Sequence, residues 1–396
     1  MKKFIPFFVL LLAVSSCTQE KPYLVVLSMD GFRWDYCDIY DTPNLNKIRQ
    51  RGTKAEYVQS SYPTVTFPNH YSIATGLYPD HHGIVNNTFY DATLKDTFSL
   101  SRRGCVENAA YWGGEPIWVT AETQSVNSAV FFWPGSEAPV KGVQADFWKK
   151  YDGSVTFEQR ADTVESWLKL PPAIRPHLIL WYISEPDHTG HKTGPDSDKT
   201  RNMVHRLDSL VGVFMGKVSR LPHADKVNVI ITSDHGMAAT SEERIVYMSD
   251  YLKPEWLERQ FCHTIGLLYA KHEHREKVLT ALQSVPHIRT FKKEELPERL
   301  HYGQNPRVGS VVVIPDCGWL LADSRQAKPS VGGAHGYDNE CRDMRTIFFA
   351  CGPAFRQGYA QPPMRNVDLY NVMAAILHLK PAPNDGSFER VRGMLR

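Results

Sequence analysis

The sequence of 396 residues contains no Cys-x-x-Cys pair, no internal repeat, no low-complexity segment and no large excess of charge. Beyond its first residues it also lacks any apolar run long enough to cross a bilayer. The lack of cysteines at metal-binding spacing argues against a cysteine zinc site. With 42% hydrophobic residues and no biased segment, a fibrous or disordered chain is excluded as well. The formal net charge of +2 includes Lys2 and Lys3, so the rest of the chain is near neutral. A near-neutral surface argues against binding duplex nucleic acid through its phosphates. The length suffices for a large core, in one domain or in one domain with a sizeable insertion.

At the start, Lys2 and Lys3 precede the apolar run Phe4 to Val14, and small residues follow. This order reads as an export signal. Val14-Ser15-Ser16-Cys17 resembles the lipobox of bacterial lipoproteins, in which cleavage leaves the cysteine as the lipidated first residue. The expectation is a signal peptide over 1–16, a lipid-anchored linker over 17–22 and one main domain over 23–396. The mature protein would then be an extracytoplasmic, membrane-anchored lipoprotein, periplasmic or at the cell surface. An ordinary secretory signal with a nearby cysteine is the alternative. Cys37, Cys105, Cys262, Cys317, Cys341 and Cys351 permit disulfides in such a compartment, and spacing does not choose among the pairings.

Four apolar runs, at 23–29, 177–184, 227–233 and 310–314, are rich in Val and Ile and have the length of strands covered on both faces. Helical spacing joins Met203, Leu207, Leu210, Val211, Phe214, Val218 and Leu221, and further helices are expected near 157–170, 274–285 and 367–379. Alternating strands and helices predict an α/β fold with a mostly parallel central sheet and helices on both faces. From about 251 to 330 the texture becomes more charged and richer in proline, which predicts a smaller inserted subdomain.

The first three runs each lead into acidic residues: Asp30, then Glu185 and Asp187, then Asp234. In open α/β sheets the ligand site lies beyond the carboxyl ends of the strands. A single Asp there is usually a turn or cap, but here His191 and His235 accompany the acids and His335 follows in G-G-A-H-G-Y-D-N. Three carboxylates and three imidazoles favour zinc over magnesium or calcium, and six ligands suit two metals better than one. His70, His82 and His188, close to these motifs, read as supporting or packing residues, and Trp112, Trp118 and Trp133 as core or pocket wall.

One motif remains, Y-P-T-V-T-F-P-N-H over 62–70, followed by T-G-L-Y-P-D-H-H-G-I-V-N-N. Together with L-S-M-D-G-F-R, G-G-E-P-I-W, W-P-G-S-E, S-E-P-D-H-T-G-H, S-D-H-G-M and H-G-Y-D-N, in this order, it resembles the nucleotide pyrophosphatase/phosphodiesterase family of the alkaline phosphatase superfamily. The resemblance implies an alkaline-phosphatase-like fold and hydrolysis of nucleotide phosphodiester or pyrophosphate bonds to a nucleoside 5′-monophosphate. It implies Thr66 as the nucleophile and Asn87 as the amide holding a phosphoryl oxygen. Asp187, His191 and His335 would hold one zinc; Asp30, Asp234 and His235 would hold the other, with Thr66 as its fourth ligand. Phe67 and Tyr182 would sandwich the nucleobase. A diesterase for lipid or choline phosphoesters, and a monoesterase with Arg33 as phosphate clamp, stay open as alternatives. No protein partner is inferred.

Overall fold

The computed structural model describes residues 21–396. The expected signal segment 1–16, Cys17 and the linker up to residue 20 lie outside the described residues. Eight strands form the central sheet: β1 (Tyr23–Met29), β2 (Thr53–Ala55), β3 (Ser128–Phe131), β4 (Phe147–Lys149), β5 (Leu178–Ile183), β6 (Val227–Thr232), β7 (Phe348–Cys351) and β8 (Tyr359–Gln361). Their order is β8-β2-β7-β6-β1-β5-β3-β4. Every pairing is parallel except those of β7 with β6 and with β2. The three strands that lead into acidic residues are therefore the neighbours β6, β1 and β5 at the centre of the sheet.

These strands are continuously apolar because successive side chains point to opposite faces and both faces are covered. Leu24, Val26, Leu178, Leu180 and Ile230 belong to one core. The helices Thr66–Thr75, Ile117–Thr123 and Asp368–Ile376 contribute to that core. The intervening Val25, Leu27, Ile179, Trp181 and Ile231 belong to the other. There the cover is the helices Pro43–Arg51, Phe157–Leu168 and Asp198–Val218. The last is the helix whose spacing was clearest, opened by Ser197, whose hydroxyl accepts from Thr200 N at 3.2 Å. Its members Val204, Leu207, Leu210, Val211, Phe214 and Val218 are buried, while Met203 is partly covered.

The stretch 251–330 carries a separate antiparallel sheet in the order Leu257–Cys262, Gly266–Ala270, Val311–Pro315, Ile288–Lys292, with the helix Arg275–Leu282 against it. The fourth apolar run lies here rather than in the central sheet. Val311 and Val313 face the small core with Val278 and Leu282, whereas Val312 and Ile314 join the main core. The small sheet is thus packed on the large domain by its second face. Cys317 and Cys341 form a disulfide; Cys37, Cys105, Cys262 and Cys351 are free thiols.

Helix Pro43–Arg51 starts at Thr42 without a side-chain cap of its own. The cap comes from the neighbouring long helix: buried Asp208 accepts from Leu45 N at 2.7 Å and from Asn44 N at 3.2 Å. Removing a buried acceptor leaves both amides unsatisfied. Asp208→Ala is therefore expected to lower unfolding stability by about 2–4 kcal/mol in denaturant titration, with Asp208→Asn costing clearly less. Equal stability of wild type and the alanine variant would contradict this role.

Candidate active site

The carboxyl ends of β1, β5 and β6 are tied together by their own backbone. Asp30 N donates to Ile183 O at 2.9 Å and Asp187 N to Asp30 O at 3.0 Å. Gly31 N donates to Asp234 Oδ1 at 3.2 Å, and Phe32 N to Ser233 Oγ at 2.9 Å. Gly31 has φ +68°, and a Cβ there would stand 2.9 Å from the Asp187 Cβ. Only glycine lets the two strand ends approach this closely. Asp187 opens the helix Asp187–Thr193, which places His191 one turn later on the same face. His335 arrives on a loop locked to residue 64: its Nδ1 donates to Thr64 O at 3.0 Å and Gly336 N donates to Thr64 Oγ1 at 3.0 Å. Thr66, two residues on, is the first residue of the helix Thr66–Thr75.

Backbone carbonyls fix the tautomer of all three imidazoles. His191 Nδ1 faces Gly333 O at 2.8 Å, His235 Nδ1 faces Gly236 O at 2.9 Å and His335 Nδ1 faces Thr64 O. A carbonyl only accepts, so each Nδ1 carries the proton and each Nε2 is turned toward the cluster, the arrangement of metal-ligating histidines. His191 Nε2 and His335 Nε2 lie 3.1 Å apart, and Asp187 Oδ1 is 3.3 Å from the first and 3.4 Å from the second. Around His235 Nε2 stand Asp234 Oδ2 at 3.1 Å, Asp30 Oδ1 at 3.2 Å and Thr66 Oγ1 at 3.1 Å. Two donors sharing a tetrahedral zinc at about 2.0–2.1 Å are separated by about 3.3 Å. The first group has that spacing throughout; in the second each donor has it to His235, and Asp187 also lies within reach of Asp30 and His235.

The charges agree with the distances. Asp30 Oδ1, Asp187 Oδ1 and Asp234 Oδ2 are buried and accept no hydrogen bond. Burial, reinforced by Asp234, raises the Asp30 carboxyl, and burial, reinforced by Asp30, raises Asp187 well above the usual carboxylate range. Burial pushes His191 down to about 4 and His335 well below the usual imidazole range. Burial opposes ionisation at Asp234 and His235 too, but their mutual attraction wins, holding the carboxyl low and the imidazole high. A buried, mutually repelling set of carboxylates with orphaned oxygens is what a cation stabilises. The donor set fits metal binding.

Asn87 accepts from Phe67 N at 3.0 Å through Oδ1, which leaves its NH2 group as the donor beside Thr66. Both residues line a cleft of about 670 Å³ with Asp30, Thr66, Asp187, His191 and His335. Phe67 is partly buried and backed by Trp112, ring centroids 6.0 Å apart. Tyr182 also reaches the cleft, but it is 8% exposed and its hydroxyl donates to Asp30 Oδ2 at 2.6 Å, so little ring face is left for a base. The accessible ring is Tyr151, 43% exposed on the same cleft. It sits in a charged Lys-Lys-Tyr-Asp-Gly stretch whose pattern carries no signal beyond a lone aromatic. His70 lies behind the nucleophile position: Nδ1 donates to Thr66 O at 3.0 Å and meets Asp234 Oδ2 at 3.2 Å, while Nε2 bonds Ser28 Oγ at 2.8 Å. Arg33 is paired with Asp35 and Asp196 and does not line the cleft. His82 is buried against Ser72, His188 stands at the cleft beside Lys192, and Trp133 forms cleft wall with its Nε1 on His70 O.

A doubly covered α/β sheet carrying such donors at its carboxyl edge agrees with the alkaline-phosphatase-like fold that the sequence resemblance implies. Comparison with known proteins narrows this: a family model for type I phosphodiesterase / nucleotide pyrophosphatase matches residues 24–338, and the chain belongs to that family. It is 38% identical to a venom phosphodiesterase of Naja atra over 97% of its own length and 48% of the relative's. It is 37% identical to ectonucleotide pyrophosphatase/phosphodiesterase family member 3 of Rattus norvegicus over 95% and 44%, respectively. The chain thus spans about half the length of these relatives. Among solved structures, murine ectonucleotide pyrophosphatase/phosphodiesterase 5 superposes with a TM-score of 0.90 at 34% identity, covering 95% of this chain and 100% of that one. An inactive threonine-to-alanine variant of that murine protein, in complex with AMP, gives 0.91 at the same identity and coverage.

Metal held by the six side chains must displace the protons that the raised His235 imidazole and Asp187 carboxyl retain without it. Titrating metal-free protein with zinc in weak buffer near pH 7 is expected to release protons, and Asp234→Ala and His335→Ala are each expected to lower the bound metal measured by elemental analysis. Full metal content in both variants would exclude this ligand set.

Proposed function

We propose that the protein is a two-zinc phosphodiesterase that cleaves nucleotide phosphodiester or pyrophosphate bonds and releases a nucleoside 5′-monophosphate through a covalent ester of Thr66. The observation that carries this reading is the position of Thr66 Oγ1, 3.1 Å from His235 Nε2 at the start of a helix, beside an Asn87 amide whose oxygen is already occupied. The names of the relatives and the AMP complex of the murine variant support it.

In this reading Asp187, His191 and His335 hold one zinc, and Asp30, Asp234 and His235 hold the other together with Thr66. When bound, the two cations supply Lewis acidity, lowering the pKa of hydroxyl and water and offsetting phosphoryl charge. Thr66 Oγ1, having lost its proton, forms a bond to phosphorus as the bond to the leaving oxygen breaks, and that oxygen departs with the electron pair and takes up a proton. Asn87 donates its NH2 to the phosphoryl oxygen on which charge develops. Water then attacks the same phosphorus, the bond to Thr66 Oγ1 breaks with its electron pair, and a proton from that water restores the Thr66 hydroxyl. The helix N-terminus favours negative charge at this point. His70 keeps Asp234 and the Thr66 carbonyl in place, and Tyr182 does the same for Asp30.

The groups around the cleft separate a diester from its alternatives. Among the described residues that line it, the one arginine is Arg103, which is paired with Glu137 and Glu107, and there is no lysine. No free cation is there to clamp the extra charge of a monoester, and Arg33, the other possible clamp, is engaged elsewhere. A nucleobase finds the rings of Phe67 and Tyr151, and stacking contributes on the order of 1–3 kcal/mol per base. We also propose export and membrane attachment through Cys17, which rests on the lipobox motif.

Thr66→Ala is expected to keep its metal and lose nearly all turnover of a thymidine nitrophenyl diester, whereas Thr66→Ser keeps a substantial part. Asn87→Ala should lose about 2–4 kcal/mol of transition-state stabilisation in kcat/KM. Phe67→Ala and Tyr151→Ala should each slow the thymidine ester by about 5-fold to 150-fold while barely changing methyl nitrophenyl phosphate. An alanine variant at residue 66 as active as wild type would exclude the covalent route. Cys17→Ser should abolish fatty-acid labelling, and wild-type protein recovered without detergent from intact membranes would overturn the anchor.

A further inference from the structure

The metal-ligating cluster is approached from two sides. Asn87, His191 and His335 line the cleft already described, and the same three residues line a second depression of about 390 Å³ on the side of the small antiparallel sheet. The reacting centre is therefore bordered by both. Thr66 and Phe67 belong to the first opening alone. The wall of the second is formed by Gln260, Phe261 and His263 at the end of the edge strand Leu257–Cys262, with Asp323 beside them and Thr88 on the large domain.

A phosphodiester carries two substituents, and the first cleft accommodates one of them. We infer that the second depression is the subsite for the leaving group and that it selects an uncharged, hydrogen-bonding group, a second nucleoside, over a polyphosphate. This inference rests on the diesterase reading above. Its basis is the chemistry of the lining. Among the described residues, no lysine or arginine lines the depression. Its fixed acidic side chain is Asp323, which accepts from the Cys262 thiol. A pyrophosphate leaving group, with several negative charges, would face that carboxylate without a side-chain counter-charge. A nucleoside meets what the wall offers: the rings of Phe261 and His263, and the side chain of Gln260, whose buried Oε1 receives no hydrogen bond. An exocyclic amine or a ribose hydroxyl would satisfy it.

The test compares substrates that share one side and differ on the other. Adenylyl-(3′→5′)-adenosine and ATP both leave AMP on Thr66 and differ only in the departing group; thymidine nitrophenyl phosphate serves as the reference. In wild type, kcat/KM is expected to favour the dinucleotide over ATP by about tenfold or more. Gln260→Lys should shift the ATP-to-dinucleotide ratio toward ATP by about tenfold, and Asp323→Asn by about threefold, as expected for adding or removing one charge at a partly solvated site. Gln260 is on an edge strand, and the asparagine variant is isosteric, so the second substitution gives a ratio if the first does not fold. A wild type that prefers ATP, or ratios unmoved in the variants that fold, would overturn the assignment while leaving diesterase activity intact. No cleavage of the thymidine ester by wild type would instead overturn the diesterase reading and this one with it.

Discussion

Everything at the site follows from the repulsion among three carboxylates at the ends of three adjacent strands. Asp30, Asp187 and Asp234 are held together by backbone hydrogen bonds between their own loops, one of which requires Gly31, so they cannot move apart. Each keeps a buried oxygen that accepts no hydrogen bond. Such a set calls for cationic charge at its centre, and the raised His235 imidazole shows where the carboxylates draw it. The remaining apparatus is arranged around that requirement: carbonyls that fix the imidazole tautomers, His70 behind Asp234, Tyr182 on Asp30, and a threonine hydroxyl set among the same atoms.

Much of this was legible in the sequence because the signals were local or periodic. Unbroken apolar runs marked β1, β5 and β6 as strands covered on both faces, and their acidic successors marked the edge where they converge. The helix Asp198–Val218 was legible from its spacing. The run at 310–314 looked the same as the others, yet it pairs antiparallel in the small sheet. Periodicity reports that both faces are covered and is silent on which neighbour does the covering. Tyr151 was invisible for the opposite reason: its place at the cleft depends on a loop leaving β4, not on its neighbours in sequence. Tyr182 could be placed near Asp187 from its strand, but its hydrogen bond to Asp30 depends on the parallel register of β1 and β5. The bond between Cys317 and Cys341 likewise needed the tertiary path, since spacing alone left every pairing open.

The division of labour between the two sheets gives the protein its two-sided site. The central sheet supplies donors of fixed geometry at its carboxyl edge, and the small sheet, packed on the main core through Val312 and Ile314, supplies a second wall beyond His335. Binding energy on either side is useful to catalysis only where it fixes phosphorus between Thr66 and the departing oxygen. In the proposed covalent relay through Thr66, the same donor set would serve attack and hydrolysis in turn.

The central claim is that relay. Two successive in-line displacements, first by Thr66 and then by water, restore the original configuration at phosphorus, whereas direct attack by water inverts it. Hydrolysis of a nucleoside phosphorothioate diester of known configuration in isotopically labelled water, followed by assignment of the chiral product, distinguishes them. Net retention is the expected result, and net inversion would contradict the account.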